Sequence, residues 1–382
     1  MIPTVLFILH LPPPVHGAAM VGQYIRDSKL INSTFDCHYI NLTTAESLQD
    51  IGKVGLRKLW RFLKLLITVF RYVRQVKPRL VYITPNSCGG AFYKDFVVVQ
   101  MLKWMKCRVV VHYHNKGVAK RQNSWFDDKL YKAFFSRLKV ILLAESLFSD
   151  VQKYVKRNDV FICPNGMPET LEVESQSERH NAVPRLFFLS NLHVEKGVLV
   201  LLDALKILKE RNYSFVCDVV GGETVEINAA RFDSEVKLRG LISQVVYHGK
   251  KYGEDKAAFF EQANIFVFPT FYCNEASPLV NLEAMEYKLP IVTTDEGGIP
   301  DVVKNGENGL IAKKKDAVSL ADCMEKLLED KDLREKMGEN GYRKFKINFT
   351  LDIFEARMAE ILEYITACED REKQLSIRVF VL

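Results

Sequence analysis

The chain has no stretch of about 18 uncharged apolar residues, so no transmembrane helix is expected. Its early apolar run, Val5 to Leu11, is too short for a secretory signal and lacks a basic leader. Cysteine is sparse and scattered: eight residues, at 37, 88, 107, 163, 217, 273, 323 and 368, with no Cys-x-x-Cys pair. That argues against a disulfide framework or a zinc site and fits reduced thiols in a cytoplasm. Acid is scarce in the first half. Residues 1–167 hold 25 Lys and Arg against 10 Asp and Glu, net +15, whereas the remainder holds 28 against 37, net −9. A basic half and an acidic half suggest different partners for each.

The richest stretch lies late in the chain. A buried strand, Ile265 to Phe268, is closed by Pro269, and a loop then delivers Glu275. Ser277 and Pro278 read as the N-cap and first residue of a helix that continues from Leu279 to Tyr287 and carries Glu283. A second apolar strand, Ile291 to Thr294, runs into a loop at Gly297-Gly298. A strand-loop-helix unit aims free backbone N–H groups and the positive end of a helix dipole at one point, which suits a diphosphate. Glu275 precedes the helix and Glu283 lies on it, so the two acids can face different parts of one ligand. Carboxylates accept hydrogen bonds from sugar hydroxyls. The layout suits a nucleotide-sugar.

These residues carry a resemblance. Two Glu separated by seven residues, in Glu275-Ala-Ser-Pro-Leu-Val-Asn-Leu-Glu283-Ala-Met, resemble the signature of glycosyltransferase family 4. The context adds to it: a preceding strand and Pro, then Gly297-Gly-Ile-Pro-Asp301 and Asn305-Gly-Glu-Asn-Gly-Leu-Ile311. The resemblance implies a retaining enzyme of GT-B fold: two Rossmann-like, doubly wound parallel-sheet domains facing across a cleft, with a C-terminal helix crossing back to the first. On that basis residues 1–167 are the acceptor-binding domain, 168–184 the linker, 185–350 the nucleotide-sugar-binding domain, and 351–382 the crossover helix and tail. Residues 169–183 are polar and aperiodic, as a linker should be.

Taken in order, Pro3 to His10 is an apolar strand and Ala18 to Lys29 the first helix. Between them no Gly-x-Gly-x-x-Gly occurs. Gly17 stands where the family usually carries Gly-Gly and could let backbone amides approach donor phosphate or acceptor; it could equally be a plain tight turn. Leu56 to Val76 is an amphipathic helix with Arg57, Lys58, Arg61, Lys64, Arg71 and Arg74, and no acid. Residues 56–77 are expected to touch an anionic membrane surface. A core-facing helix with a solvated basic face fits the same periodicity. No nucleic-acid motif accompanies the charge. Arg108 to Asn115 is a strand with polar residues at its end. By resemblance, His114 takes the place of the family's active-site histidine, while His112 reads as structural.

In the second domain, Ser190-Asn191-Leu-His-Val-Glu-Lys196-Gly197 resembles the family's Gly-Arg-Leu-x-x-x-Lys-Gly loop, in which Arg and Lys neutralise the donor diphosphate. Lys196 is present, but Asn191 replaces Arg and cannot make its bidentate contact. Gly221 ends one strand, and Gly249 ends another where it could approach the donor base. Lys288 stands where a helix-ending Gly is usual, so that turn should be strained.

The resemblance therefore implies transfer of a sugar from a UDP- or GDP-sugar to a hydroxyl of a glycan or lipid-linked acceptor, as in bacterial surface polysaccharide assembly. It assigns Glu283 to ribose hydroxyls, Glu275 to the sugar, Lys196 to the leaving diphosphate, amides near Ala276, Ser277 and Leu279 to the same charge, and His114 to the sugar. No further cofactor or metal is expected, and the expected place is the cytoplasm, at the inner face of the membrane. A GT-B epimerase or phosphorylase, or a non-catalytic nucleotide-sugar-binding partner, remains open.

Overall fold

The computed structural model describes residues 2–13, 17–43, 56–170 and 182–379, with side chains at 2–13, 17–43, 59–170 and 182–367. Most of the expected linker falls outside these residues, as do the side chains of Arg57, Lys58 and the tail. The chain divides into two compact units, Met1–Met167 with Leu351–Leu382, and Pro168–Thr350. Each is built on a six-stranded sheet in which every pairing is parallel.

The first unit runs β1 (Thr4–Leu9), α1 (Gly17–Asp27), α2 (Lys29–Thr34), β2 (Asp36–Asn41), α3 (Leu56–Val76), β3 (Leu80–Ile83), α4 (Gly89–Trp104), β4 (Val109–Tyr113), α5 (Val118–Arg121), α6 (Trp125–Phe135), β5 (Lys139–Leu142), α7 (Phe148–Val151) and β6 (Val160–Ile162). Strands β3 and β4 are buried along their whole length, as strands covered on both faces must be. The sheet order is β2-β1-β3-β4-β5-β6.

The second unit runs β7 (Arg185–Leu189), α8 (Val198–Glu210), β8 (Val216–Val220), α9 (Ala229–Leu238), β9 (Val245–Tyr247), α10 (Gly253–Gln262), β10 (Ile265–Phe268), α11 (Leu279–Glu286), β11 (Ile291–Thr294), α12 (Ile299–Val302), β12 (Gly309–Ala312), α13 (Ala317–Glu329) and α14 (Lys331–Asn348). Its order is β12-β11-β10-β7-β8-β9. Asn228, Asp316 and Asp330 cap α9, α13 and α14 through their side chains. The last helix, α15 (Leu351–Val379), returns to the first unit, where it packs on α2 and sets Tyr364 against Phe161 at 5.7 Å.

In both sheets the first strand lies inside rather than at an edge. β1 lies between β2 and β3, and β7 between β8 and β10. The winding direction reverses there, so successive loops leave on opposite sides and open a crevice at the carboxyl ends of the strands.

One local expectation changes. Pro278, not Ser277, is the N-cap of α11, and no side chain caps that helix. Pro fixes its own φ near the value seen, −69°, but its ψ of 125° is extended, so the helix begins one residue later. Helix α3 buries Leu65, Val69 and Val73 but leaves a second apolar stripe, Leu59, Trp60, Leu63 and Ile67, exposed. Among the described residues no helix is long and apolar enough to cross a membrane.

Lys288, after α11, has φ 52°, the left-handed conformation expected of a glycine at that place. A β-carbon there costs about 1 kcal/mol, partly offset by the exposed pair of Lys288 with Glu339 at 3.1 Å. Lys288→Gly should therefore raise stability by about 0.5–1 kcal/mol in chemical denaturation. A loss would show that the ion pair outweighs the backbone strain.

Candidate functional site

The crevice of the second unit lies between β7 and β10, and its walls are the loops that follow them. The first loop ends in a short 3-10 turn, Val194–Lys196, closed by Gly197 at φ 86°. A β-carbon on Gly197 would lie 2.1 Å from the Pro269 carbonyl oxygen, so only glycine lets the two loops touch. Phe271 N donates to Glu195 O at 2.8 Å and joins them further. From β11, Thr293 Oγ1 donates to Phe268 O at 2.7 Å, and Thr294 Oγ1 donates to Thr270 O. These buried hydroxyls fix the exit of β10.

That scaffold brings Lys196 and Glu275 together. Lys196 Nζ donates to Glu275 Oε2 at 2.5 Å, and Thr270 Oγ1 lies 3.5 Å from the same oxygen. Lys196 also lies 4.8 Å from the Tyr272 ring centre. Both charged groups are largely removed from water, so deleting one would strand the other, at a cost of about 3–5 kcal/mol. Ala276 O accepts from Gly298 N at 2.6 Å, which ties the loop to the turn after β11. The uncapped N-terminus of α11 follows, with Leu279 as its first residue. The N–H groups of a helix's first turn suit an anion.

Glu283, one turn further along α11, is paired with Lys256 of α10 at 3.0 Å. Sequence reasoning missed Lys256, because nothing local marks a lysine 27 residues before its partner. Gly221 (φ 155°) and Gly249 (φ 67°) lie side by side, with Gly221 N donating to Gly249 O at 2.9 Å. Asn191 does structural work: its Oδ1 accepts from Gly222 N at 3.1 Å. Glu286, also on α11, is buried and accepts from both Thr170 N and Thr170 Oγ1. Burial pushes its carboxyl above the usual range.

The remaining predicted residues belong to the first unit. Gly17 is the exposed first residue of α1. His114 follows β4 and is half-buried, with its ring 4.4 Å from that of His112. His112 is fully buried, with Nδ1 2.6 Å from Tyr82 Oη. Burial, and then His114 beside it, hold the His112 imidazole well below its usual pKa, so it is neutral. The loop after His114 is held by Asp150, whose carboxylate accepts from the backbone N–H groups of Gly117, Val118 and Ala119.

A second polar group lies at the crevice between β1 and β3. Asn86 Nδ2 is 3.4 Å from His10 Nε2, and Asn115 Nδ2 donates to Asn86 Oδ1 at 3.1 Å. Fully buried Asp95 accepts from both Asn86 N and Asn86 Nδ2, at 2.8 and 2.9 Å. Hydrogen-bonding side chains thus converge on the carboxyl edge of this sheet too. Each stood at a strand end in the sequence, but no spacing pattern joined them. Among the described residues no group of three or more His, Cys, Asp or Glu is arranged to hold a metal ion.

Two Rossmann-like units with a terminal helix returning to the first define the GT-B class. Comparison with known proteins agrees. The model for "Glycosyl transferases group 1" matches residues 169–344. The chain is similar to the capsular polysaccharide biosynthesis glycosyltransferase CapM of Staphylococcus aureus, 26% identical over 58% of this chain and 60% of that protein. For two further curated relatives the alignment spans 66% and 65% of their length. Among solved structures, sucrose-phosphate synthase from Thermosynechococcus elongatus superposes with a TM-score of 0.75, at 18% identity, over 96% of this chain and 100% of that one. Anabaena HepE in complex with UDP gives 0.74, at 16% identity, over 94% and 100%. The chain is a GT-B-fold protein related to the group 1 glycosyltransferases.

One residue of α11 carries an unmet cost. Asn281 is fully buried, and neither amide atom has a hydrogen-bond partner among the described residues. An orphaned buried amide costs about 1–3 kcal/mol. Asn281→Leu should raise the unfolding free energy by about 1 kcal/mol or more, as read by urea denaturation. A fall in stability would refute this accounting.

Proposed function

We propose that the protein is a retaining glycosyltransferase that moves a sugar from a nucleotide-diphospho-sugar to a hydroxyl of a glycan or lipid-linked acceptor in polysaccharide assembly. The observation that carries this reading is the meeting of Lys196 and Glu275 at the crevice of the second unit, beside an uncapped helix that bears Glu283. The reading is supported by relatives named for capsular polysaccharide biosynthesis and by the UDP bound to HepE.

In this mechanism the diphosphate lies at the N-terminus of α11, near Ala276, Ser277 and Leu279, with Lys196 in reach. The bond from the anomeric carbon to the diphosphate oxygen breaks, and negative charge grows on that oxygen. Fixed N–H groups and the Lys196 ammonium stabilise this charge more in the transition state than in the ground state. The acceptor hydroxyl attacks from the face the diphosphate leaves, and its proton passes to the departing phosphate. Glu275 accepts from the hydroxyls of the transferred sugar and Glu283 from those of the ribose. Gly221 and Gly249 leave room for the rest of the nucleotide. The first unit supplies His114 to the sugar and His10, Asn86 and Asn115 to the acceptor, with Gly17 at the adjoining turn.

The same reading places the first unit on the cytoplasmic face of an anionic membrane. Its support is α3, where the exposed stripe of Leu59, Trp60, Leu63 and Ile67 runs beside Arg61, Lys64, Arg71 and Arg74. Apolar side chains can enter the interface while the cations meet lipid phosphates, each worth about 1 kcal/mol.

Glu275→Gln should lower kcat at least about 100-fold, and Glu283→Gln should raise KM for the donor about tenfold. Turnover of a UDP- and GDP-sugar panel measures both. Wild-type rates in both variants would sink the proposed donor site. Trp60→Ser with Leu63→Ser should abolish sedimentation with phosphatidylglycerol vesicles while the melting temperature holds. Unchanged sedimentation would remove the membrane from the proposal.

A further inference from the structure

The donor site as described is short of positive charge. Lys196 is committed to Glu275, and Lys256 to Glu283. A diphosphate is doubly charged in a nucleotide-sugar, so Lys196, once sugar hydroxyls take its place on Glu275, offsets only one of the two charges. Asn191 brings no charge, and its Oδ1 is already engaged by Gly222 N.

A second cation comes from another loop. The turn after β9 carries Lys250, whose side chain folds back across the turn after β8. A β-carbon at Gly222 would lie 2.1 Å from Lys250 Cε, 3.2 Å from Lys250 Cδ and 2.9 Å from Asn191 Oδ1. The lysine stem and the asparagine amide thus lie against the same point, over the Gly222 backbone. The three loops are also stitched together: Gly221 N donates to Gly249 O at 2.9 Å, Leu192 N donates to Gly222 O at 2.8 Å, and Tyr247 Oη donates to Gly221 O at 2.9 Å. Lys250 is exposed, and among the described residues its ammonium has no ion-pair or hydrogen-bond partner. Glu223, in the turn after β8 that the lysine crosses, turns its carboxylate to Ala229 N at 3.1 Å.

We infer that Lys250 is a second phosphate-binding cation of this site beside Lys196, supplying from the β9 turn the charge that Asn191 lacks on the β7 turn. This rests on the reading of the second unit as a nucleotide-sugar site and adds a second residue that neutralises the diphosphate there. Asn191 then acts as a positioning residue: it holds the Gly222 amide, over which the lysine passes. The exchange keeps the charge of the site while moving its origin by two strands, from β7 past β8 to β9.

The test is calorimetric titration of the full chain with UDP, GDP and ADP, and with the corresponding nucleosides. Wild-type protein should bind one of the diphosphates. Lys250→Ala should weaken that binding about tenfold or more, leave the nucleoside unaffected, and flatten the dependence of affinity on salt. Lys250→Arg should retain affinity, and Asn191→Arg added to Lys250→Ala should restore most of it. Equal diphosphate affinity in Lys250→Ala and wild type overturns the inference and leaves the donor site standing. An equal loss for nucleoside and diphosphate also overturns it, since the contact would then be with base or ribose. Failure of the wild type to bind any of the three diphosphates overturns the donor site and this inference together.

Discussion

The second unit depends on one close approach. Gly197 and the Pro269 carbonyl meet where the loops after β7 and β10 pass each other. β7 and β10 are neighbours in the sheet but far apart in the chain, and this close approach of their loops brings Lys196 to Glu275. Remove the glycine and the loops must part; the ammonium and carboxylate then lose each other, and each is left with a desolvated charge. The buried threonines of β11 serve the same end, since they fix the direction in which β10 releases the chain.

Charge in this site is handled by pairing. Both acids at the crevice hold a lysine, and both lysines come from other elements of the same unit. Such pairs hold the carboxylates in place without a ligand, and they can be exchanged for ligand hydroxyls at little net cost in charge. Helix α11 links several of these features: its free N-terminus, Glu283 on its body, and near its end Glu286, which grips Thr170 at the start of the unit. The first unit repeats the plan with amides and a histidine at its crevice and a buried aspartate behind them.

Much of this was legible in the chain. The alternation of apolar strands with helices, the loop polarity at strand ends and the strain at Lys288 all follow from local chemistry, and the structure has them. Helix α3 was read with its bounds, because twenty-one residues of one period leave little ambiguity. Its two apolar faces were not, since periodicity reports that a stripe exists and not which stripe the sheet covers. The start of α11 was misplaced by one residue because Ser-Pro fits a cap followed by a first turn as well as it fits an extended pair. Asn191 read as a missing charge; that its amide holds the Gly222 backbone depends on a loop 31 residues away.

By itself the sequence determined the alternation of strands and helices and the residue types at the strand ends, because both are set by short-range periodicity and turn chemistry; the two-domain fold class came from the resemblance of the stretch around Glu275 and Glu283. Tertiary structure decided which of those ends meet. Lys196 and Glu275 are 79 residues apart, and His10 and Asn86 are 76 apart. Both pairs form because each sheet is entered away from its edges and wound both ways, so that strands distant in the chain become neighbours and their loops share a crevice. No local pattern encodes that adjacency; it follows from the order in which the strands are laid down.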